Sequence, residues 1–378
     1  MSSAGSPGSD RLLVSTRKGL FSVVKKGPAG AWQIDRVSFL GDSISMAYHD
    51  ARDGRLYGAQ YLGHFGVKLQ RSADFGAHWE EIAAPAFPAP PEGVVETLAD
   101  GRPWPWRVEQ IWALEAAADG GLWCGTIGGG LFRSAPGGES WTLARGLWDH
   151  PGRKQWFGGG ADLPGIHSVC VDPRDARRLS VAVSCGGVWH SDDDGATWEL
   201  GAEGMFAEFM PPERRNDQGI QDAHRVVRAA AQPDRLWCQH HNGVFRSDDG
   251  GRRWQVIANV APSVFGFAVA VDPHDGDTAW LVPAVKDQTR VPVDGRVVVS
   301  RTRDAGRTWQ VLAEGLPQVH AYDITLRHAL DVDGSGRRLA FGSTTGSLWV
   351  SEDAGDRWTC LSTHLPPIYA VRFAAPSV

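Results

Sequence analysis

The sequence is poor in several features that would point to common classes of protein. Its 378 residues include only five Cys, an odd number without a Cys-x-x-Cys pair, which favours reduced thiols over a disulfide framework. No apolar run approaches the 18 residues of a transmembrane helix, so no membrane partner is expected. Lys and Arg (38) do not outnumber Asp and Glu (44), which argues against a nucleic-acid partner. The first ten residues lack the charged and apolar segments of a signal peptide. We therefore expect a cytoplasmic protein.

Two residue types are abundant, and one short motif contains both of them. The 46 Gly and 17 Trp indicate many turns and many large planar side chains, as in an all-β repeat protein. The motif, here called the turn motif, reads Ser/Thr-x-Asp-x-Gly-x-x-Trp. Its good copies end at Trp79, Trp198, Trp254, Trp309 and Trp358. A copy with Pro136 in place of Asp ends at Trp141, and an eroded copy ends at Trp32.

The spacing of these copies predicts the architecture. The seven Trp anchors are 47 to 62 residues apart, and short β-rich runs precede each good copy. Four antiparallel strands (A to D) per unit of about 40–50 residues are typical of a propeller blade. We expect an all-β, seven-bladed β-propeller over residues 11–375, preceded by a flexible tail over 1–10. The C-terminal run 368–373 should supply strand A of the first blade and close the ring. A six-bladed ring without the Trp32 unit is the alternative.

The turn motif has a structural explanation. Asp accepts hydrogen bonds from backbone N–H groups about two residues on, Gly takes the positive φ, and Trp starts the next strand beside the turn. The motif should therefore form the C–D hairpin of each blade.

The motif resembles the Asp-box, or BNR repeat, of the sialidase superfamily, and the resemblance covers nearly the whole chain. It implies a propeller and a ligand site near the axis, but such propellers host unrelated functions. The sialidase chemistry itself is not expected. No Phe/Tyr-Arg-Ile-Pro motif is present, and none of the five Tyr maps to the sialidase nucleophile.

Topology separates the motif from the predicted site. The B–C turns and D–A connections share one face, here called the top face, and the turn motifs lie on the other. Long D–A connections at 83–108, 142–166 and 199–223 belong to the top face and contain aromatic side chains. Trp106 and Trp156 are expected either to stack on a ligand or to seal the mouth of the funnel.

Polar residues collect at strand-A starts, such as His320 and Asp323 in the last blade, and at B–C turns, so they should converge at the top of the axis. Glu109, Asp323 and His167 are the predicted catalytic residues. The predicted ligand-binding residues are Arg17, Trp106, Arg107, Trp156, His240 and His241. A divalent transition metal is a candidate cofactor, held by His167, His224 and His320 together with His240 or His241.

Three functions fit these residues. The first is a small polar ligand, of the glycan or glycoside class, bound in the axial funnel and cleaved hydrolytically or by elimination. The second is a metal-dependent enzyme with several histidines in the funnel. The third is a scaffold that binds a protein partner without chemistry.

Overall fold

The computed structural model describes residues 8–27, 30–90, 92–93, 95–98 and 100–374. Residues 1–7 of the predicted tail and residue 375 of the predicted domain lie outside this part of the chain. Ser9, which is described, donates its backbone N–H to Asp333 Oδ2 at 2.8 Å and its hydroxyl to the carbonyl of Ala374. These bonds join the start of the described chain to its end.

The described residues form seven four-stranded antiparallel sheets, the blades of a propeller. Blade 1 contains β1 (Arg11–Thr16), β2 (Gly19–Lys25) and β3 (Trp32–Ser38). Blade 2 contains β4 (Ser43–Asp50), β5 (Arg55–Tyr61), β6 (Val67–Ser72) and β7 (Glu80–Ile82). Blade 3 contains β8 (Gln110–Ala116), β9 (Leu122–Ile127), β10 (Leu131–Ser134) and β11 (Trp141–Leu143). Blade 4 contains β12 (Ile166–Asp172), β13 (Asp175–Val183), β14 (Gly187–Ser191) and β15 (Glu199–Leu200). Blade 5 contains β16 (Ala223–Arg228), β17 (Leu236–His240), β18 (Gly243–Ser247) and β19 (Gln255–Ile257). Blade 6 contains β20 (Gly266–Val271), β21 (Ala279–Pro283), β22 (Val299–Thr302) and β23 (Gln310–Leu312). Blade 7 contains β24 (Leu330–Val332), β25 (Leu339–Gly342), β26 (Leu348–Ser351) and β27 (Thr359–Ser362), and β28 (Ile368–Phe373) completes blade 1.

The last strand closes the ring. Strand β28 pairs antiparallel with β1, and the register places Val371 opposite Val14. This pairing covers the edge that blade 1 would otherwise expose. The predicted seven-bladed propeller and its closure are confirmed, and the six-bladed alternative is wrong.

The A strands lie innermost and surround the axis. Each one contacts the A strands of both neighbouring blades around the whole ring. Large side chains fill the space between blades, and Trp123, Trp189, Trp237 and Trp280 are each at most 1% exposed. Burial of these indole rings contributes much of the apolar stabilisation of the fold.

Helices are few and short. The described residues include one α-helical turn, α1 (Arg145–Trp148), and five 3-10 turns: Gly63–Phe65, Pro136–Gly138, Pro151–Gln155, Gln218–Ile220 and Val293–Gly295. None of the helices in the described ranges is long and apolar enough to cross a lipid bilayer. All five cysteines are free; Cys360 is exposed and the other four are buried.

The turn motif forms the C–D hairpin, as predicted, but with a different set of hydrogen bonds. In blade 4, Ser191 Oγ donates to Asp193 Oδ1 and accepts from the N–H of Gly195, both at 2.8 Å. Asp193 Oδ1 accepts the N–H of Thr197 at 2.8 Å, four residues on rather than the expected two. The Trp198 indole N–H donates to the carbonyl of Gly195 at 3.0 Å, so the ring packs against the turn as expected. The Ser/Thr and Asp bonds recur in the motifs that begin at Ser72, Ser247, Thr302 and Ser351.

The turn also uses one more left-handed residue than the sequence predicted. The Gly of each good copy has a positive φ, but so does the residue before it. In blade 4 these are Asp194 (φ 59°) and Gly195 (φ 84°), and in blade 6 they are Ala305 (φ 61°) and Gly306 (φ 85°). Since Asp and Ala rarely adopt this conformation, the side-chain hydrogen bonds of the motif must stabilise it.

Candidate functional site

A cavity of about 300 Å³ opens on the top face near the axis. Its walls come from the starts of A strands, from B–C turns and from two D–A connections of blades 3 to 7. Its lining residues are Trp112, Ile127, Phe157, Gly158, Gly159, Gly160, Ala161, Cys185, Phe209, Asp222, His224, His241, Phe267, Asp287, Arg290 and Arg327. Aromatic and charged side chains from five blades therefore meet in the region where the sequence predicted a site.

Arg327 lies between two aromatic rings in the wall of this cavity. Its guanidinium carbon is 4.9 Å from the ring centroid of Trp112 and 5.5 Å from that of Phe267. Within the described part of the chain it has no ion pair or hydrogen bond, and its Nε is buried without a partner. Burial lowers the pKa of Arg327, although the charge of Asp222 opposes this effect. A guanidinium held only by ring faces keeps its hydrogen-bond donors available for an anion.

A second guanidinium shares the ring of Phe267 but is already paired. The guanidinium carbon of Arg290 lies 5.3 Å from the centroid of Phe267. Its Nε donates to Asp287 Oδ1 at 3.2 Å. The positive charge of Arg290 is therefore balanced, whereas no described residue balances that of Arg327.

In the same cavity wall, Asp222, His224 and His241 form a compact cluster. One potential ligand atom from each residue lies within 4.8 Å of the other two. Asp222 Oδ2 is 3.5 Å from His224 Nε2 and 3.3 Å from His241 Nδ1. The other carboxylate oxygen, Oδ1, accepts from Ser184 Oγ at 3.2 Å and from the N–H of Cys185 at 3.4 Å.

The backbone explains why these three side chains meet. Asp222 and His224 flank the first residue of β16, and a bulge after Ala223 interrupts the pairing of β16 with β17. His241 follows β17 directly, and its backbone N–H donates to the carbonyl of Asp222 at 2.9 Å. The hydrogen bonds that join the two strands therefore place both imidazoles beside one carboxylate.

The environment favours an ionised Asp222. Burial alone would raise the pKa of its carboxyl, but His224, His241 and Arg327 outweigh burial and hold the pKa well below its usual range. Burial lowers the pKa of His224, and Asp222 only partly offsets this. The cluster therefore contains an ionised carboxylate in contact with two imidazoles.

A second cavity of about 250 Å³ adjoins the first across the axis. It is lined by Ser43, Ser45, Tyr61, Gln110, Trp112, Ile127, Leu326, Arg327, His328 and Tyr369. Trp112, Ile127 and Arg327 line both cavities, so the stacked pair of Trp112 and Arg327 forms part of the wall between them. The two cavities together draw residues from all seven blades.

Buried groups close the axis below these cavities. His328 Nε2 donates to the carbonyl of His167 at 2.7 Å, which joins blade 7 to blade 4. Arg225 donates to the same carbonyl at 3.3 Å. The ring of Trp112 meets that of His167 edge-on, with centroids 5.5 Å apart. The top cavities are therefore pockets with a floor rather than the mouth of an open channel.

The predicted histidines divide between the cavity and the interior. His224 and His241 line the cavity. His167 and His240 are completely buried, and His240 Nδ1 accepts the N–H of Asn242 at 3.0 Å. His320 is exposed in the D–A connection before blade 7. The structure thus groups His224 with Asp222 and His241 rather than with His167 and His320.

Four of the predicted polar residues have other partners or lie elsewhere. Arg107 donates to Glu109 Oε1 at 2.6 Å, and neither residue lines the first cavity. Asp323 accepts from the hydroxyl of Ser343 at 2.7 Å and from that of Thr345. Arg17 is exposed and borders a separate surface hollow between blades 1 and 2.

The predicted start of strand A in blade 7 is wrong. The sequence interpretation placed it at His320 and Asp323, but β24 begins at Leu330. The segment that turns toward the axis is therefore the one that contains Arg327 and His328. The D–A connection of blade 6 is longer than expected, and Val319, His320 and Tyr322 in it are exposed.

The two predicted aromatic residues pack within the protein. Trp156 is 1% exposed and meets Trp189 edge-on at 5.8 Å. Trp106 is partly buried against Trp148, with ring centroids 5.6 Å apart. These contacts favour the interpretation that the two rings seal the mouth of the funnel rather than stack on a ligand.

Sequence reasoning missed Arg327, although a signal for it was present. In blades 4 and 7, an Asp at the A–B turn accepts the N–H two residues on: Asp172 from Arg174 and Asp333 from Ser335. Counting five residues back from each Asp gives His167 and His328, the two residues that meet across the axis. Aligning the blades on this Asp, rather than on the turn motif, places Arg327 at the top of strand A.

No protein-family model and no curated protein matches this chain. Solved structures with a similar fold include the periplasmic gluconolactonase of Pseudomonas aeruginosa, with 14% identity over 97% of this chain and 99% of that one and a TM-score of 0.60. An ancestral GH74 enzyme has 17% identity and a TM-score of 0.55; the match covers 81% of this chain but only 36% of that enzyme. YCF48 bound to D1 peptide has 11% identity over 84% of this chain and 81% of that one, with a TM-score of 0.52. At these identities the similarities show the fold alone.

Proposed function

We propose that this propeller binds a small polar ligand carrying an anionic group, of the glycan or glycoside class, in the top cavity. The observation that carries the proposal is Arg327. Its guanidinium lies in the cavity wall between Trp112 and Phe267 and has no anionic partner among the residues that the structure describes. A carboxylate or a similar oxyanion on the ligand would satisfy its fork of N–H donors.

The other walls suit a ring-shaped molecule of this kind. The cavity has a volume of about 300 Å³, which fits a ligand of roughly one sugar ring. Phe157 and Phe209 add aromatic surface to that of Trp112 and Phe267. Aromatic faces pack against the apolar faces of sugars, while Asp222 and the two imidazoles offer hydrogen bonds to hydroxyl groups.

The cluster of Asp222, His224 and His241 provides proton-transfer groups for cleavage of such a ligand. A neutral imidazole or the Asp222 carboxylate can accept a proton from water or from a carbon next to a carboxylate. Arg327 would stabilise negative charge that develops on the ligand's anionic group. Both hydrolysis and elimination fit this arrangement. Glu109 and Asp323, which the sequence favoured for the same role, are engaged by Arg107 and by two hydroxyl groups.

The fold comparisons are compatible with this proposal but are not evidence for it. One similar structure is a gluconolactonase and another is a GH74 enzyme, but both are below 20% identical to this chain. The sialidase resemblance of the turn motif likewise supports a ligand near the axis and no particular reaction. The proposal rests on the cavity.

Calorimetric titration with matched sugars tests the proposal. Glucuronate should bind at least tenfold more tightly than glucose to chelator-treated protein, and Arg327→Gln should abolish this preference. Arg17→Gln, which changes an exposed arginine beside another hollow, is the matched control and should retain it. Equal binding of the two sugars, or an Arg327→Gln variant that still prefers glucuronate, would refute the proposal. Chromogenic glucuronides and glucosides, compared in the same variants, would then reveal cleavage.

A scaffold that binds a protein partner is the second candidate function. Large apolar side chains are exposed on the loops of the top face, among them Leu40 (81%), Phe65 (74%) and Tyr322 (64%). Exposed apolar groups at a rim are typical of protein-binding surfaces. If no sugar binds and a stoichiometric partner is captured, but is lost from a Phe65→Ser variant, the scaffold function is favoured.

A further inference from the structure

The cluster of Asp222, His224 and His241 has the composition of a metal centre. Two imidazole nitrogens and one carboxylate oxygen face one another in the cavity wall, with the oxygen 3.3 and 3.5 Å from the two nitrogens. Ligands about 2.0–2.1 Å from a common ion are themselves about 3.0–3.4 Å apart. The distances from Oδ2 to the two nitrogens are therefore already close to this spacing. The two nitrogens lie within 4.8 Å of each other and must move closer together to share one ion.

The ring of His224 is held in the orientation that a metal ligand requires. Its Nδ1 is 2.7 Å from the carbonyl oxygen of Gly266. Because a carbonyl can only accept, Nδ1 carries the proton, and in the neutral ring Nε2 is left with a lone pair. This lone pair lies next to the carboxylate of Asp222, a repulsive contact unless a proton or a cation lies between them. A backbone carbonyl bound to the second ring nitrogen is common among metal-ligating histidines.

Asp222 is also fixed and shielded on the side away from the imidazoles. Its Oδ1 is occupied by Ser184 and by the N–H of Cys185, so only Oδ2 faces the cluster. The backbone of Gly159 packs close by, and a Cβ at that position would lie 2.7 Å from the sulfur of Cys185 and 3.2 Å from Asp222 Oδ1. A buried carboxylate needs a positive partner. Arg327, the unpaired cation of the cavity, is not within ion-pair distance in the described structure.

We propose that Asp222, His224 and His241 bind one divalent first-row transition-metal ion through Oδ2, Nε2 and Nδ1, with the open coordination positions facing the cavity. Two imidazoles and one carboxylate suit Zn²⁺, Fe²⁺, Co²⁺ or Ni²⁺ rather than Ca²⁺ or Mg²⁺, which prefer oxygen ligands. Three protein ligands with open positions are typical of catalytic rather than structural sites. The inference goes beyond the proposed function, since the ion would bind whether or not a sugar does.

Titration with metal alone tests the inference. After treatment with a chelator, the full chain should bind one equivalent of Co²⁺ and develop visible d–d absorption. Zn²⁺ should bind at the same stoichiometry by calorimetry, and Ca²⁺ should not compete with it. Asp222→Asn and His241→Gln should each weaken Zn²⁺ binding at least tenfold. His364→Gln, which changes an exposed histidine outside the cavity, is the matched control and should bind normally.

Other outcomes would overturn the inference. The inference is wrong if folded wild-type protein binds less than a tenth of an equivalent of Zn²⁺. It is also wrong if both His241→Gln and Asp222→Asn bind Zn²⁺ normally. Loss of Zn²⁺ binding in His320→Gln would contradict it as well, because His320 lies outside the cluster. Thermal unfolding of each variant separates lost ligands from lost structure. Sugar binding by the metal-free protein depends on Arg327, so this inference and the proposed function can fail independently.

Discussion

The guanidinium carbon of Arg327 lies 4.9 Å from the ring centroid of Trp112, and the pair separates two cavities at the centre of the propeller. Trp112 belongs to β8 in blade 3, whereas Arg327 precedes β24 in blade 7. The contact therefore crosses the top of the axis. Arg327 has ring faces on its sides and no anion among the described residues, an arrangement better suited to binding a ligand than to stabilising the fold.

This arrangement predicts how stability responds when the charge is removed. Arg327→Met keeps the length of the side chain but removes a half-buried cation that has no anionic partner among the described residues. We expect the free energy of unfolding in urea to stay within about 1 kcal/mol of wild type or to rise, because relief from desolvation offsets a cation–π contact of about 0.5–2 kcal/mol. Functional residues often cost stability in this way.

Arg153→Met is the matched control for that prediction. Arg153 is 4% exposed and also lies over a Trp ring, but it is paired with Glu96 Oε2 at 2.5 Å. Its loss should cost about 2 kcal/mol or more, since it leaves the half-buried Glu96 carboxylate without its cation and the carbonyl of Trp148 without its donor. Equal losses in the two variants would show that Arg327 is structural.

We expect the buried imidazole of His190 to cause part of the loss of stability at acid pH. Its Nε2 donates to the carbonyl of Gly251 at 2.9 Å, and its Nδ1 is 2.8 Å from the hydroxyl of Ser180, which accepts from Arg228. Burial lowers the pKa of His190 to about 4 from an ordinary value of 6.5. The unfolded chain therefore takes up this proton at a higher pH than the folded chain does. The stability that the neutral ring contributes is complete above pH 6.5 and is lost as the pH falls toward 4.

Replacement of His190 should flatten this dependence. His190→Gln, whose amide can still donate to Gly251, should reduce the slope of the unfolding free energy between pH 6.5 and 4.5 by up to about 1.4 kcal/mol per pH unit. Urea unfolding at several pH values measures the slope. His364→Gln, at an exposed position, should leave it unchanged. A slope in His190→Gln equal to that of wild type would contradict the assignment.

Substitution of Ser191 measures how much one turn motif contributes to the free energy of unfolding. Its buried hydroxyl bridges Asp193 and the N–H of Gly195, so Ser191→Ala leaves a buried N–H without its acceptor. We expect a loss of about 1–3 kcal/mol in unfolding free energy. Ser191→Thr should cost much less, because Thr302 makes the same bonds in blade 6. Neither substitution should alter metal or sugar binding, since the motif is on the face opposite the cavity; a change in either affinity would contradict that separation.

The sequence determined the repeating parts of this protein. Each turn motif is a local hydrogen-bonded unit, because Ser191, Asp193 and Gly195 lie within five residues of one another and need no other blade. Such units can be counted along the chain, and their number and spacing predicted seven blades, four strands in each and closure by the last strand. The fold can therefore be predicted from the sequence, because these local hydrogen-bonded turns mark each blade.

The centre of the ring was decided by the tertiary structure. His224 and His241 could be assigned to the top face from the order of the strands, but their approach to Asp222 depends on a bulge and on one bond between strands. Arg327 and Trp112 are more than 200 residues apart, and they meet because the A strands of seven blades surround one axis. A shift of a few residues in one D–A connection changes which side chain reaches that axis. The pattern of the sequence specifies the hairpins, whereas the packing of the blades selects the residues of the site.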